Sequence, residues 1–68
     1  MVKYHYEFKS CRNNVIVGKF NTLTDLLLLR NDYVTINNHK YWIVDRHLSA
    51  DLYEEEQIMN YYYRVMRV

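Results

Sequence analysis

Val2, Tyr4, Tyr6 and Phe8 alternate without exception with Lys3, His5, Glu7 and Lys9. A period of two sends successive side chains to opposite faces of a pleated chain, so this stretch is predicted to be a strand with one buried, aromatic face. The polar run over residues 10–14 interrupts the pattern. Residues 15–20, "VIVGKF", resume it with β-branched side chains and with Gly18, where a bulge is expected, and the two strands form a first hairpin.

The period then changes. In "NTLTDLLLLRND", Asn21 or Thr22 can cap a helix, Asp25 sits near its positive dipole end, and Leu23, Leu26 and Leu27 fall on one side. The pattern predicts a short helix of about two turns whose leucines plug the open end of a small sheet. Asp32 then leads into a strand over residues 33–36, a turn at "NNHK" and a strand over residues 41–47. Adjacent asparagines tolerate the left-handed conformations of tight hairpin turns. Whether that loop holds two residues or four, Val34 and Ile36 share a face with Tyr41 and Ile43, which is the predicted core face. Tyr33, Thr35, Trp42 and Val44 take the other face, and it is not a solvated one.

"SADLYEEEQ" reads as an acidic, solvated connection. The closing stretch "IMNYYYRVMRV" has two readings. As a strand it sets Met59, Tyr61, Tyr63 and Val65 against Ile58, Asn60, Tyr62, Arg64 and Met66; as a helix it makes a stripe of Ile58, Met59, Tyr62, Val65 and Met66. Three consecutive tyrosines and a valine favour the strand, while Ser49 or Asp51 can cap the helix.

With 68 residues, half of them apolar, the chain is expected to be a single domain over residues 1–68. A formal charge of +1 carries no field for non-specific capture of nucleic acid. One cysteine precludes an intrachain disulfide, which points to a reduced, cytoplasmic setting. No apolar leader or membrane-spanning run is present, so a soluble, unexported protein is expected.

Catalytic chemistry finds little support. His5, His39 and His47 have neither helical pair spacing nor a cysteine neighbour, so no metal site is expected. Cys11 is expected in a hairpin loop, where a nucleophile would need a histidine base brought close and a pocket. Asp45 and His47 share one strand face while Arg46 leaves by the other, the pattern of a polar strand end. Gly18 is the only glycine, so no phosphate-cradling loop exists. No enzyme activity and no cofactor are expected.

Surface area is more informative. A sheet of about five short strands with one helix covers one face, yet this chain has apolar groups on two. The surplus is Tyr33, Trp42, Val44 and part of the last strand. Trp, Tyr, Met and Arg are enriched at protein interfaces because each combines contact area with a polar or cationic handle. The alternative is that the sheet curls into a barrel and wraps Trp42 into a second, minor core. A separate alternative is single-strand nucleic-acid binding, through Tyr62, Arg64 and Arg67 with Trp42 and Arg46.

The run "TLTDLLLLRNDYVTINNHKYWIVDRH…YYYRVMRV", over residues 22–68, resembles small SH3-like or partly open barrels of phages and prophages of low-GC Gram-positive bacteria. In those, a leucine-bearing turn precedes a strand-turn-strand unit and a Tyr/Arg-rich strand closes the sheet. Here Asn37, Asn38 and His39 replace the usual turn glycine. The resemblance implies a non-catalytic accessory protein that binds and inhibits a host protein such as a defence factor, often as a homodimer. Together these readings predict a mainly β, small α+β fold. It has a curled antiparallel sheet of about five strands, or an SH3-like barrel, with one short helix, and a partner-binding face built on Tyr33, Trp42, Tyr62 and Arg64.

Overall fold

A computed structural model describes residues 1–68. Five strands form one sheet: β1 (Val2–Ser10), β2 (Ile16–Thr22), β3 (Tyr33–Ile36), β4 (His39–Leu52) and β5 (Gln57–Arg67), in the spatial order β2-β1-β5-β4-β3. The sheet curls strongly into a half-barrel, so the chain is mainly β with a barrel-like sheet, as its alternation predicts.

The sheet is mixed rather than wholly antiparallel, because β1 and β5 pair in parallel from Val2 opposite Gln57 to Ser10 opposite Val65. A parallel pair needs a long connection, and β2, the leucine segment, β3 and β4 together supply it. The central strand β5 and its parallel neighbour β1 then give most of the core: Tyr6 and Phe8 from β1 and Tyr61, Tyr63 and Val65 from β5, joined by Tyr41 and Ile43 from β4. The strand reading of the last segment holds, with Tyr61, Tyr63 and Val65 facing inward as alternation requires.

Tyrosine suits such a core. Its ring packs in the half-barrel and its hydroxyl reaches the polar rim, so it fills space without leaving a buried donor unpaired. Tyr6 and Tyr61 lie 5.0 Å apart between ring centres, as do Phe8 and Tyr63. Such contacts are worth about 0.5–1.5 kcal/mol each beyond area burial. Every buried side-chain nitrogen and oxygen has a partner.

The β3–β4 turn holds two residues. Ile36 is opposite His39, and Asn37 and Asn38 both have positive φ, 51° and 68°. Two left-handed residues give the primed turn whose twist matches that of a hairpin. Val34 and Ile36 pack against the core with Tyr41 and Ile43, as expected.

Strict alternation stops at Val44. Ile43 is opposite Val65 while Asp45 is opposite Arg64, so Val44 is the extra residue of a bulge. The bulge reverses the facing of everything after it: Asp45 and His47 leave for the outer face with Trp42, and Arg46 turns inward beside Tyr63. A second bulge, at Val17 next to Gly18, bends β2 where a glycine bulge is expected.

The predicted helix over residues 21–32 does not form. Residues 23–32 are irregular, with Leu27 and Asn31 at φ values of 55° and 74°. Side chains satisfy most of their backbone groups, and the segment's own backbone adds one turn bond, from Asp32 N–H to Leu29 O (3.1 Å). Leu26 N–H donates to the Tyr6 hydroxyl (2.8 Å), Leu27 N–H to Asp25 (2.9 Å) and Leu29 N–H to Asp32 (2.9 Å). Those bonds take the place of the helical ladder. The leucine plug is corrected with it: Leu28 packs against the core, while Leu23 and Leu27 are 70% and 73% exposed. The acidic connection is also shorter than expected, because β4 continues through Leu52 and only residues 53–56 turn the chain.

Candidate functional site

The outer face of the sheet collects all four residues of the expected binding face. Tyr33 is opposite Trp42, and Trp42 is opposite Met66. Alternation along β5 then sets Arg64 and Tyr62 on the same side as Met66. Asp45 lies across from Arg64 and His47 across from Tyr62. Tyr33 is 57% exposed, Arg64 is exposed, Tyr62 is 36% exposed and Trp42 is half-buried. The indole is therefore neither enclosed by the chain's own side chains nor fully free.

Polar groups border this aromatic row. Lys40 Nζ sits 4.6 Å above the Tyr33 ring, a cation–π contact. Tyr62 has a histidine on either side, with ring centres 6.3 Å from His5 and 6.5 Å from His47. His5 is held by a 2.7 Å hydrogen bond between its Nδ1 and Asn21 Oδ1, and Glu7 lies 3.5 Å from both His5 Nε2 and Lys19 Nζ. A shallow groove of about 540 Å³ opens between Glu7, Lys9, Asp45, His47, Tyr62 and Arg64. Its lining mixes both signs of charge, with neither a glycine-rich loop nor a group of three metal-ligating side chains at hand.

The other titratable cluster lies on the inner side and holds the leucine segment in place. Tyr6 and Tyr61 donate to the two carboxylate oxygens of Asp25, at 3.1 and 2.9 Å. The Leu28 carbonyl accepts from the Tyr63 hydroxyl and from Arg46 Nη1, both at 2.8 Å. The Leu27 N–H and both phenols hold the Asp25 carboxyl below its usual range. Burial first, and the Asp25 charge with it, pushes the Tyr6 and Tyr61 phenols up, Tyr61 to about 12; burial also raises Tyr63. Phenols held so strongly in their neutral form are donors and not proton shuttles at neutral pH. The cluster is an anchor.

Asp25, expected at a helix end, and Arg46, expected among the cations of the nucleic-acid alternative, both tie the leucine segment to the sheet. Arg67, another cation of that alternative, lies opposite Tyr41 at the sheet end, and Arg64 alone of the three shares the outer face with Trp42 and Tyr62. One local signal for Asp25 existed, an acid within an otherwise apolar run. Its partners, Tyr6 and Tyr61, are 19 and 36 residues away.

No protein-family model, curated protein or solved structure matches the chain. No helix is long and apolar enough to cross a membrane.

Proposed function

We propose that this chain is a non-catalytic protein-binding module of the cytoplasm. Its outer sheet face occludes the surface of a protein partner. The observation that carries the reading is the continuous row Tyr33, Trp42, Met66, Arg64 and Tyr62 across β3, β4 and β5. These are interface-enriched residue types, held rigidly on paired strands and left partly or fully open to solvent. Trp42 is the anchor, flanked by Tyr33 and Tyr62, and Arg64 supplies the charged rim. The resemblance to phage and prophage barrels points to a host protein, such as a defence factor, as the partner and to inhibition by occlusion. It also points to a homodimer as the working form.

The test is retention of a host protein from a lysate of a low-GC Gram-positive bacterium by the immobilised chain. Trp42→Ala and Arg64→Glu are compared with the parent. A protein captured by the parent and lost at least tenfold by Trp42→Ala, with the circular dichroism of the variant unchanged, supports the reading; about 2 kcal/mol at a hot spot corresponds to more than that factor. Equal retention by folded Trp42→Ala overturns it.

Single-strand nucleic-acid binding is a second reading, favoured by Lys40 over Tyr33 and by Arg64 between the aromatics. Glu7 and Asp45 on the same face weigh against it. Phosphate-driven binding falls steeply with salt, so oligonucleotide titrations at two ionic strengths separate the readings.

A further inference from the structure

The second half of β4 is an open sheet edge. β3 ends its pairing with β4 at Tyr33 opposite Trp42, with two further hydrogen bonds just before it, Asn31 N–H to Ile43 O and Ile43 N–H to Asp32 O. From Asp45 to Leu52 the strand pairs only with β5. Tyr53 N–H donates to Glu56 O (2.8 Å) at the hairpin turn. Counting back along an antiparallel ladder, Asp51, Ser49 and His47 therefore turn their N–H and C=O groups to β5. Arg46, Leu48, Ala50 and Leu52 turn theirs outward. Ile43 bonds outward to Asn31 and Asp32, and the bulge at Val44 accounts for the change of parity between Ile43 and Arg46.

Folded proteins blunt such edges with inward charges, bulges or proline. On β4 those devices stop at Arg46, whose N–H is taken by Asp45 Oδ1 (2.8 Å). Beyond it the inward side chains are Leu48, Ala50 and Leu52, all apolar, with Leu48 39% and Leu52 74% exposed. The edge is a row of free donors and acceptors lined on one side by apolar groups.

We infer that this edge, Arg46 to Leu52, pairs antiparallel with the same edge of a second copy of the chain, about a two-fold axis at Ser49. Two independent observations select the occupant and the register. The stretch is bounded by β3 at one end and by the hairpin turn at the other, and Ser49 is its midpoint, so this register uses every outward group but the Arg46 N–H, which Asp45 Oδ1 holds. It also sets His47 opposite Asp51 of the second copy on the outer face and Leu48 opposite Ala50 on the inner face. An imidazole meets a carboxylate and apolar meets apolar, twice each. Shifting the axis to Leu48 would bring Asp45 against Asp51, a like-charge pair across strands. The resulting sheet runs through both copies and gives the exposed Leu48 of each an apolar neighbour across the seam, while Leu52 lies opposite Arg46. The inference rests on the homodimer of the proposed function, but not on its docking face, since Trp42 lies outside the paired stretch.

Two variants test it. Ala50→Pro removes an N–H that faces outward and spares every β4–β5 bond, so it should remain folded and halve the mass in light scattering from twice 8.5 kDa to 8.5 kDa. Ser49→Cys in a Cys11→Ser background should cross-link under mild oxidation. A non-hydrogen-bonded antiparallel pair has Cα atoms about 4.5 Å apart, inside the roughly 4.4–6.8 Å that a disulfide spans. A parent monomer throughout a dilution series, an undiminished dimer in Ala50→Pro, or no cross-link by Ser49→Cys from a dimeric protein each overturns the pairing. A heterologous protein captured by Ala50→Pro and lost by Trp42→Ala would leave the outer-face reading intact, so the two failures are distinguishable.

Discussion

Ile36 of β3 lies against Gly18 of β2, the two outermost strands of the sheet: a Cβ built on Gly18 would be 3.0 Å from Ile36 Cγ2 and 3.7 Å from a Phe8 ring carbon. The curl of the sheet brings its opposite edges together here, and the missing side chain makes the approach possible. Gly18→Val is expected to destabilise the protein by about 1–3 kcal/mol through overpacking. Gly18→Val with Ile36→Ala should recover part of that loss. Urea midpoints of the single and double variants check it, and additive losses would deny that the two residues touch.

The Asn37–Asn38 turn gives a second expectation. A left-handed residue with a Cβ costs about 1–2 kcal/mol, a strain that asparagine relieves in part and glycine entirely. Asn38→Ala should therefore lower stability by about 1 kcal/mol, and Asn38→Gly should not lower it. Thermal melts of both variants decide whether the turn has the primed geometry.

Asp25→Asn should loosen the leucine segment without unfolding the sheet. The charged acceptor for Tyr6 and Tyr61 is lost, at a cost of about 1–3 kcal/mol. Amide hydrogen exchange checks it, with protection at Leu26 and Leu27 falling well before that of β1 and β5. Uniform loss of protection would mean that the segment and the sheet open together.

The same cluster sets the pH limits. The Asp25 carboxyl is depressed in the folded state, so its contribution is present above its ordinary value of 3.8 and is lost as pH falls through the folded value. The Tyr6, Tyr61 and Tyr63 phenols are raised, so their contribution is complete below 10.0 and is lost as pH climbs from there, toward about 12 for Tyr61. Tyrosinate absorbance followed beside circular dichroism should show these phenols ionising together with alkaline unfolding. Their ionisation in a still-folded chain would contradict the cluster's geometry.

The chain by itself determined β1, the start of β4 and one turn, and favoured the strand form of β5, while the second half of β4 was not legible in it. Alternation over residues 2–9 makes β1, alternation after Ile58 makes β5, and two adjacent asparagines make the β3–β4 turn, because each of these needs only neighbours in sequence to form. Part of the outer face was legible for the same reason: Tyr33 and Trp42 follow from strand parity and the hairpin turn, whereas Tyr62 and Arg64 join them only through the β4–β5 pairing. The tertiary structure decided the rest. The leucine segment has helical spacing, but Tyr6, Tyr61 and Tyr63 take its polar groups from across the half-barrel, and contacts over such separations override a local helix preference. Val44 carries no mark of a bulge. Arg46 turns inward there, where Leu28 O, 18 residues earlier in the chain, accepts its guanidinium. The parallel pairing of β1 with β5 likewise joins the two ends of the sequence, a relationship set by the shared core rather than by any local pattern.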